Sequence, residues 1–223
     1  KLSYVTSTLS NNWLSDAAGS LASSVKGRTQ LRSLWAQDVW AFAPRWKAVL
    51  GLRLEDWTAT QGQTNFSASS ALAYAERSVQ AASPKAALSW QWLPDTVLKA
   101  SLGRAVRFPT VAELYGATST TNSQYINDPN LKPERSWTAE LSAEKDLGNA
   151  LARLTWFAET TRDALYSQTV YDATANKNIS RVQNVGRIDT QGLEAAFNGQ
   201  GVGWRELDVL GSVTYAHSII KEN

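Results

Sequence analysis

Glu140 and Glu144 stand on one side of an alternating segment, and a pair of carboxylates at a set separation is what glycoside hydrolysis uses for its acid and base. The same spacing puts both groups on the polar face of a strand, where a water-filled lumen needs such side chains, and we prefer that reading. Gly199-Gln200-Gly201-Val202-Gly203 has the glycine density of a phosphate-cradling loop. It lies between two predicted strands with no helix after it to supply an anion-binding N-terminus, so it reads as a turn. His217 is the single histidine and falls in parity with Val213 and Tyr215, which puts it near the outer rim of the last strand, an interfacial position. The chain has no Cys, which excludes disulfides, thiolate zinc sites and cysteine nucleophiles. No nucleophile has a base beside it, so the sequence predicts no catalysis, no resident metal and no cofactor. The 22 basic and 20 acidic residues are spread without a run of like charge, and nucleic acid is not an expected partner.

What must position these groups is a set of strands. From Ala86 to Leu93, Ala86, Leu88, Trp90 and Trp92 share one face and Ala87, Ser89 and Gln91 the other. After a turn at Pro94-Asp95-Thr96 the alternation resumes with Leu98, Ala100 and Leu102 against Lys99, Ser101 and Gly103. The same period appears with Ala48, Leu50, Leu52 and Leu54, again with Leu154, Trp156 and Ala158, and again with Val209, Val213 and Tyr215. It predicts strands at roughly 29–42, 46–58, 85–93, 96–107, 135–147, 150–168, 180–199 and 204–218, with residues 1–10 as a further candidate.

Connections alternate in length. Short turns fall at Ala43-Pro44-Arg45, Pro94-Asp95, Gly148-Asn149 and Gly199-Gln200-Gly201, and longer polar connections are predicted at 59–84, 108–134 and 169–179. Short turns at one end and long loops at the other describe an outer-membrane barrel. No apolar run reaches the ~18 residues of a transmembrane helix, but a spanning strand needs only about 9 to 11, alternately apolar. The ten Trp fit a boundary between hydrocarbon and water, and Trp35, Trp46, Trp57, Trp92 and Trp137 fall near strand ends where aromatic girdles would lie. A soluble antiparallel sandwich shows the same period, and these features leave the two architectures level.

Specific motifs separate them. Val106-Arg107-Phe108-Pro109-Thr110-Val111-Ala112-Glu113-Leu114-Tyr115-Gly116 resembles the Phe-Arg-x-Pro-Thr-x-x-Glu-Leu-Tyr-Gly stretch of TonB-dependent outer-membrane receptors. Asp128-Pro129-Asn130-Leu131-Lys132-Pro133-Glu134 is similar to that family's Asn-Pro-Asn-Leu-Lys-Pro-Glu. Asn184-Val185-Gly186, Gly192-Leu193-Glu194 and Gly51-Leu52-Arg53 resemble its recurring strand signatures. Val106 replaces the usual Phe and Asp128 the usual Asn, and neither change disturbs the turn chemistry.

The resemblance implies an all-β, antiparallel transmembrane barrel, polar inside and lipid-facing outside, of which residues 1–223 form one segment. A receptor of this family has about 22 strands around a plug. We therefore expect an excerpt, with the plug and strands on both sides missing; the alternative is a complete small barrel or a soluble sandwich acting as a binding module. The implied function is energy-coupled uptake of a ferric siderophore or similar metal chelate, in the Gram-negative outer membrane, with TonB acting through the plug and outer-membrane lipid as a further partner. Cobalamin, haem, other metals and sugar are the other cargoes of such receptors. Haem receptors of this family typically carry a His between the two motifs, and none lies between Phe108 and Asp128. Copper capture would favour Met, which is absent. The loop holds Tyr115, Asn122, Gln124 and Tyr125, with Arg104 and Arg107 nearby. Aromatic faces and guanidinium groups suit a planar anionic catecholate or hydroxamate chelate, so Arg104, Arg107, Glu113, Tyr115 and Tyr125 are the candidate ligand-binding residues. Loop-anchoring ion pairs among Arg104, Arg107 and Glu113 are the competing explanation.

Overall fold

The computed structural model describes residues 2–14, 21–67, 70–116, 118–119 and 123–222. In chain order they form β1 (Leu2–Leu14), β2 (Leu21–Ala43), β3 (Trp46–Ser67), β4 (Ser70–Ala73), β5 (Arg77–Leu93), β6 (Thr96–Arg107), α1 (Val111–Tyr115), β7 (Thr118–Ser119), β8 (Ser123–Ile126), β9 (Glu134–Asp146), β10 (Ala150–Asp172), β11 (Lys177–Gly199) and β12 (Val209–Glu222). The long strands make one antiparallel meander in the order β1, β2, β3, β5, β6, β9, β10, β11, with β12 on the far side of β11. β4 folds back on β3, and the β7–β8 hairpin places β8 parallel to the upper end of β11. Among the described residues β1 pairs only with β2 and β12 only with β11, so the sheet does not close on itself, and no second sheet faces it. A complete small barrel and a two-sheet sandwich are both excluded by that topology.

The register turns the sequence alternation into two continuous surfaces. One lateral row reads Trp40, Ala48, Leu88, Ala100, Leu141, Trp156, Leu193 and Tyr215, crossing β2, β3, β5, β6, β9, β10, β11 and β12. The adjacent row, on the opposite face, reads Lys47, Ser89, Lys99, Ser142, Thr155, Glu194 and Thr214. A one-residue slip on any strand would exchange the two faces there. Along β3 the outer face is apolar from Trp46 to Leu54 and becomes Asp56 and Thr58 above it. That height matches the ~9 to 11 residues a tilted spanning strand requires.

The 23 residues of β10 are about twice what a crossing needs, so the strands continue well above the apolar band. This accounts for two of the three differences from the sequence reading. The stretch 59–84 is mostly β3 and β5 drawn out, and 169–179 is a turn at residues 173–176 between two long strands. Above the band the outward positions turn polar, as at Asp56 and Thr58 of β3, and polar strand then reads as loop. β12 starts at Val209 instead of 204, because Gly201 and Gly203 adopt φ of 60° and 77° and the turn runs on to residue 206. The short turns fall where the sequence places them.

Three of the five girdle tryptophans, Trp46, Trp92 and Trp137, have outward parity, and Trp46 stacks on Trp90 with centroids 5.2 Å apart. Trp35 and Trp57 do not belong with them. Both face inward, and Trp57 is only 2% exposed, because the connection between β6 and β9 folds over it.

Candidate ligand-facing site

That connection is where the two long motifs lie. Pro109 has no N–H to continue the β6 ladder, and Thr110 then caps α1. The Thr110 hydroxyl accepts from the Glu113 N–H while the Glu113 carboxylate accepts from the Thr110 N–H at 2.7 Å, a reciprocal capping box. Burial works to raise the Glu113 pKa. Hydrogen bonds from the Thr110 N–H, the Arg107 guanidinium and the Thr110 hydroxyl outweigh it and hold the carboxyl below its ordinary value. Arg107 reaches the same carboxylate at 2.6 Å.

α1 presents Val111, Leu114 and Tyr115 to the inner wall, where they join Val25, Trp57, Ala59, Leu131 and Val182 in the main buried cluster. Phe108 stacks on Trp57 with centroids 5.7 Å apart, and Tyr115 stacks on Tyr74 at 5.5 Å. Tyr115 is 1% exposed, and burial pushes its phenol pKa up. Its hydroxyl has no hydrogen-bond partner among the described residues.

The second motif is tied down by side chains outside it. Arg77, at the start of β5, donates to the carbonyls of Pro129 and Leu131 and lies over the Trp57 ring, 5.9 Å from its centroid. Asn184 accepts from the Lys132 N–H at 2.8 Å and donates to the carbonyls of Lys132 and Asp163. Asp163 has φ of 53°, and its carboxylate faces Arg135 at 3.6 Å and Lys132 at 3.9 Å. Asn127 donates to the Leu114 carbonyl at 2.6 Å, closing the loop on α1.

Beneath the folded loop is an inner-face cavity of about 690 Å³. Gln37, Arg53, Glu55, Ser83, Lys85 and Arg107 contribute polar groups to its wall, beside Trp35, Trp57 and Phe108. The Glu55 side chain is 4% exposed; its carboxylate meets Arg53 at 2.9 Å and accepts from the Ser83 hydroxyl at 3.2 Å. The Arg53 guanidinium, half-exposed in the cavity wall, also donates to the Ser33 hydroxyl at 3.1 Å.

The five sequence candidates are therefore divided. Arg107 and Glu113 form one ion pair at the cavity's upper edge. Tyr115 is inside the buried cluster, and Tyr125 is half-buried against it. Arg104 projects from the opposite face of β6 to Arg107 and donates to the Ala82 carbonyl at 3.2 Å. Gln124 pairs with Ile179 in the β8–β11 ladder, and Asn122 lies outside the described residues. Sequence reasoning missed Arg77 and Glu55 as site residues, and read Arg53 and Asn184 only as parts of strand signatures. It also missed α1, although Thr110-x-x-Glu113 is a capping-box signal. The other chemistry considered at the outset has ordinary explanations here. Glu144 pairs with Lys99 at 2.6 Å, Glu140 accepts from Ser101, and His217 faces Gln191 on the exposed outer side.

The model of the family described as TonB dependent receptor-like β-barrel matches residues 2–223. The chain belongs to the TonB-dependent receptor β-barrel family. Solved structures agree in fold. The chain is similar to the copper transporter OprC, at 18% identity over 91% of this chain and 30% of that one, with a TM-score of 0.63. It is similar to the hemophore receptor HasR of Serratia marcescens, solved with its hemophore and heme, at 16% identity over 97% and 40%, TM-score 0.66. It is also similar to the ferric-catecholate import receptor Fiu of E. coli, at 13% identity over 99% and 35%, TM-score 0.69. The chain spans 30 to 40% of the length of these structures. No curated protein matches it. TonB-dependent receptor barrels are a transport family of the outer membrane and not enzymes, and the open sheet described above is a segment of such a barrel.

Proposed function

We propose that this TonB-dependent receptor barrel is part of an outer-membrane importer of ferric siderophores, in which extracellular loops capture the chelate and the energised TonB complex releases it inward through a plug. Residues 1–223 supply one segment of the barrel wall, and the plug and the remaining strands belong to the rest of that receptor. The observation that carries the reading is the inner-face cavity, where Arg53, Lys85 and Arg107 converge beside the half-exposed indole ring of Trp35. Cationic and aromatic groups together suit a planar anionic chelate. Of the candidate residues, Arg107 is placed to meet ligand, whereas Glu113 and Tyr115 hold the loop that shapes the cavity. The likenesses to copper, heme and catecholate receptors leave cargo to side-chain chemistry. This segment has no Met or Cys and no His on the inner face, which favours an oxygen-rich iron chelate over copper or haem. The test is growth of an iron-starved strain carrying the full-length receptor on single catecholate and hydroxamate chelates, beside haem and cobalamin. Rescue by a siderophore is expected; rescue by haem alone, or repression of the gene by cobalamin and not iron, refutes the assignment.

A further inference from the structure

The register that aligns the lipid-facing band also aligns charge. Arg135 of β9, Arg162 of β10 and Arg187 of β11 are direct lateral neighbours. They share the outward face with the row Leu141, Trp156 and Leu193. Between the two rows lie Ala139, Ala158 and Gln191, then Trp137, Thr160 and Asp189. Six residues along a strand, at ~3.3 Å each, put the arginines roughly 20 Å along the tilted strands from the Leu141 row, towards the long-loop end. Trp137, half-exposed one step below them, is of the type that settles where hydrocarbon meets headgroups. Arg104, beside Trp137, adds a cation on the same face.

Like charges directly opposite one another on adjacent strands destabilise a sheet, so stability does not account for this arrangement. Nearby carboxylates offset only part of the charge. Asp163 lies 3.6 Å from Arg135 and 3.9 Å from Lys132, and Asp189 lies 2.9 Å from Arg187. Glu222 acts on Arg187 and Lys221 on Asp189. Arg162, the middle member, makes no ion pair among the described residues.

We propose that Arg135, Arg162 and Arg187 form a docking surface for the headgroup of an outer-leaflet glycolipid that carries two phosphates. With ~4.8 Å between strands, the outer two backbone positions are about 10 Å apart, a span suited to two phosphates, with the central guanidinium shared between them. Each guanidinium offers a planar fork to phosphate oxygens. Along β9 the surface continues through Trp137 and Ala139 into the apolar band, with Ala158 beside them on β10, so acyl chains attached to the headgroup lie over these three residues, while Thr160, Asp189 and Gln191 keep the β11 side polar. That continuity selects a lipid over free phosphate. The inference rests on the reading of the chain as an outer-membrane barrel.

The experiment uses the full-length receptor in phosphatidylcholine nanodiscs, with native mass spectrometry of lipid retained after addition of diphosphoryl lipid A, monophosphoryl lipid A or further phosphatidylcholine. Retention should follow phosphate number. The double variant Arg162→Gln, Arg187→Gln should lower diphosphoryl retention about tenfold, and Arg162→Lys should keep most of it. Equal retention of the three lipids, or equal retention by wild type and the double variant, overturns the proposal. Should the variant misfold, the wild-type ranking of the three lipids decides alone. Quenching of tryptophan fluorescence by brominated lipid separates the two levels of inference. Quenching without phosphate preference rejects the docking surface only, whereas no quenching rejects the membrane reading and the docking surface with it.

Discussion

The Tyr115 ring occupies the space left by the absent side chain of Gly62. A Cβ built at position 62 would collide with the ring, and so would one at Gly27 on the adjacent strand. Two strands thus approach one aromatic closely because each is bare at the point of contact. Gly62→Ala and Gly27→Ala should each destabilise the loop's seat by about 1–3 kcal/mol, the usual cost of overpacking. Tyr115→Ala should cost about 3–5 kcal/mol through the cavity it leaves. Limited proteolysis of the full-length receptor checks this. Cleavage between residues 108 and 134 should rise in all three variants, and unchanged protection would show that the loop is held elsewhere.

Arg77 should be the most sensitive polar anchor of the second motif. It serves two carbonyls and one indole ring, and all three contacts go together in Arg77→Ala. Hydrogen bonds to charged groups contribute roughly 1.5–3 kcal/mol each, so loosening of the loop should exceed that of Asn127→Ala. Arg77→Lys should recover only part, because one ammonium cannot copy the fork. Protection of residues 128–134 against hydrogen exchange would report the order, and equal effects of the Arg77 and Asn127 variants would contradict it.

The pH dependence of the loop follows from Glu113. Its folded pKa lies below the ordinary 4.5, so the stability it contributes is fully present above pH 4.5 and is lost as pH falls through the folded value. Proteolytic protection of the loop should therefore hold from neutral pH to about 4.5 and weaken below it. Glu113→Gln should begin less protected and show a flatter acid profile. A wild-type loop that opens between pH 7 and 5 would point to a different group.

Much of this wall was legible in the sequence, because within the apolar band each strand has one wet face and one lipid face. That contrast is what period two reports. It fails above the band: the outward positions of β3 from Asp56 and of β10 from Thr160 turn polar, so Thr58, Thr60 and Ser167 carry no alternating signal and read as loop. Trp57 was misplaced for a related reason, since parity puts it on the inner face but cannot show that Phe108 covers it. The ligand-facing groups were the least readable. Arg104 and Arg107 are three residues apart, and on a strand an odd separation puts them on opposite faces. Arg77 is far from both motifs in sequence and becomes their anchor only through the register of β5 on β3.

The two faces can be separated experimentally with adjacent residues. Leu141 faces outward in the middle of the band and Ser142 inward, on consecutive positions of β9. Leu141→Lys should destabilise the receptor by about 2–4 kcal/mol, the cost of a cation at the bilayer midplane of a barrel. Ser142→Lys should be nearly neutral, since it adds a charge to a wet wall. Urea midpoints of the full-length receptor refolded in lipid vesicles measure both. Similar losses at the two positions would mean that the outer face is not in hydrocarbon.

The last prediction concerns Arg107, which can act on ligand or only on the loop. Its guanidinium is half-exposed at the cavity edge while one nitrogen holds Glu113 at 2.6 Å. Glu113→Gln removes the charge partner and leaves the guanidinium in place, so loop loosening without loss of the cation is available as a control. If Arg107 meets the chelate, Arg107→Ala should raise the apparent KM for uptake about tenfold or more, the scale of a hydrogen bond to a charged group, and leave maximal uptake nearly unchanged. Glu113→Gln should raise it much less, and Arg107→Lys should fall between because it keeps charge but not the fork. Equal effects of Arg107→Ala and Glu113→Gln on KM, accompanied by equal loss of loop protection, would assign Arg107 to the anchor alone.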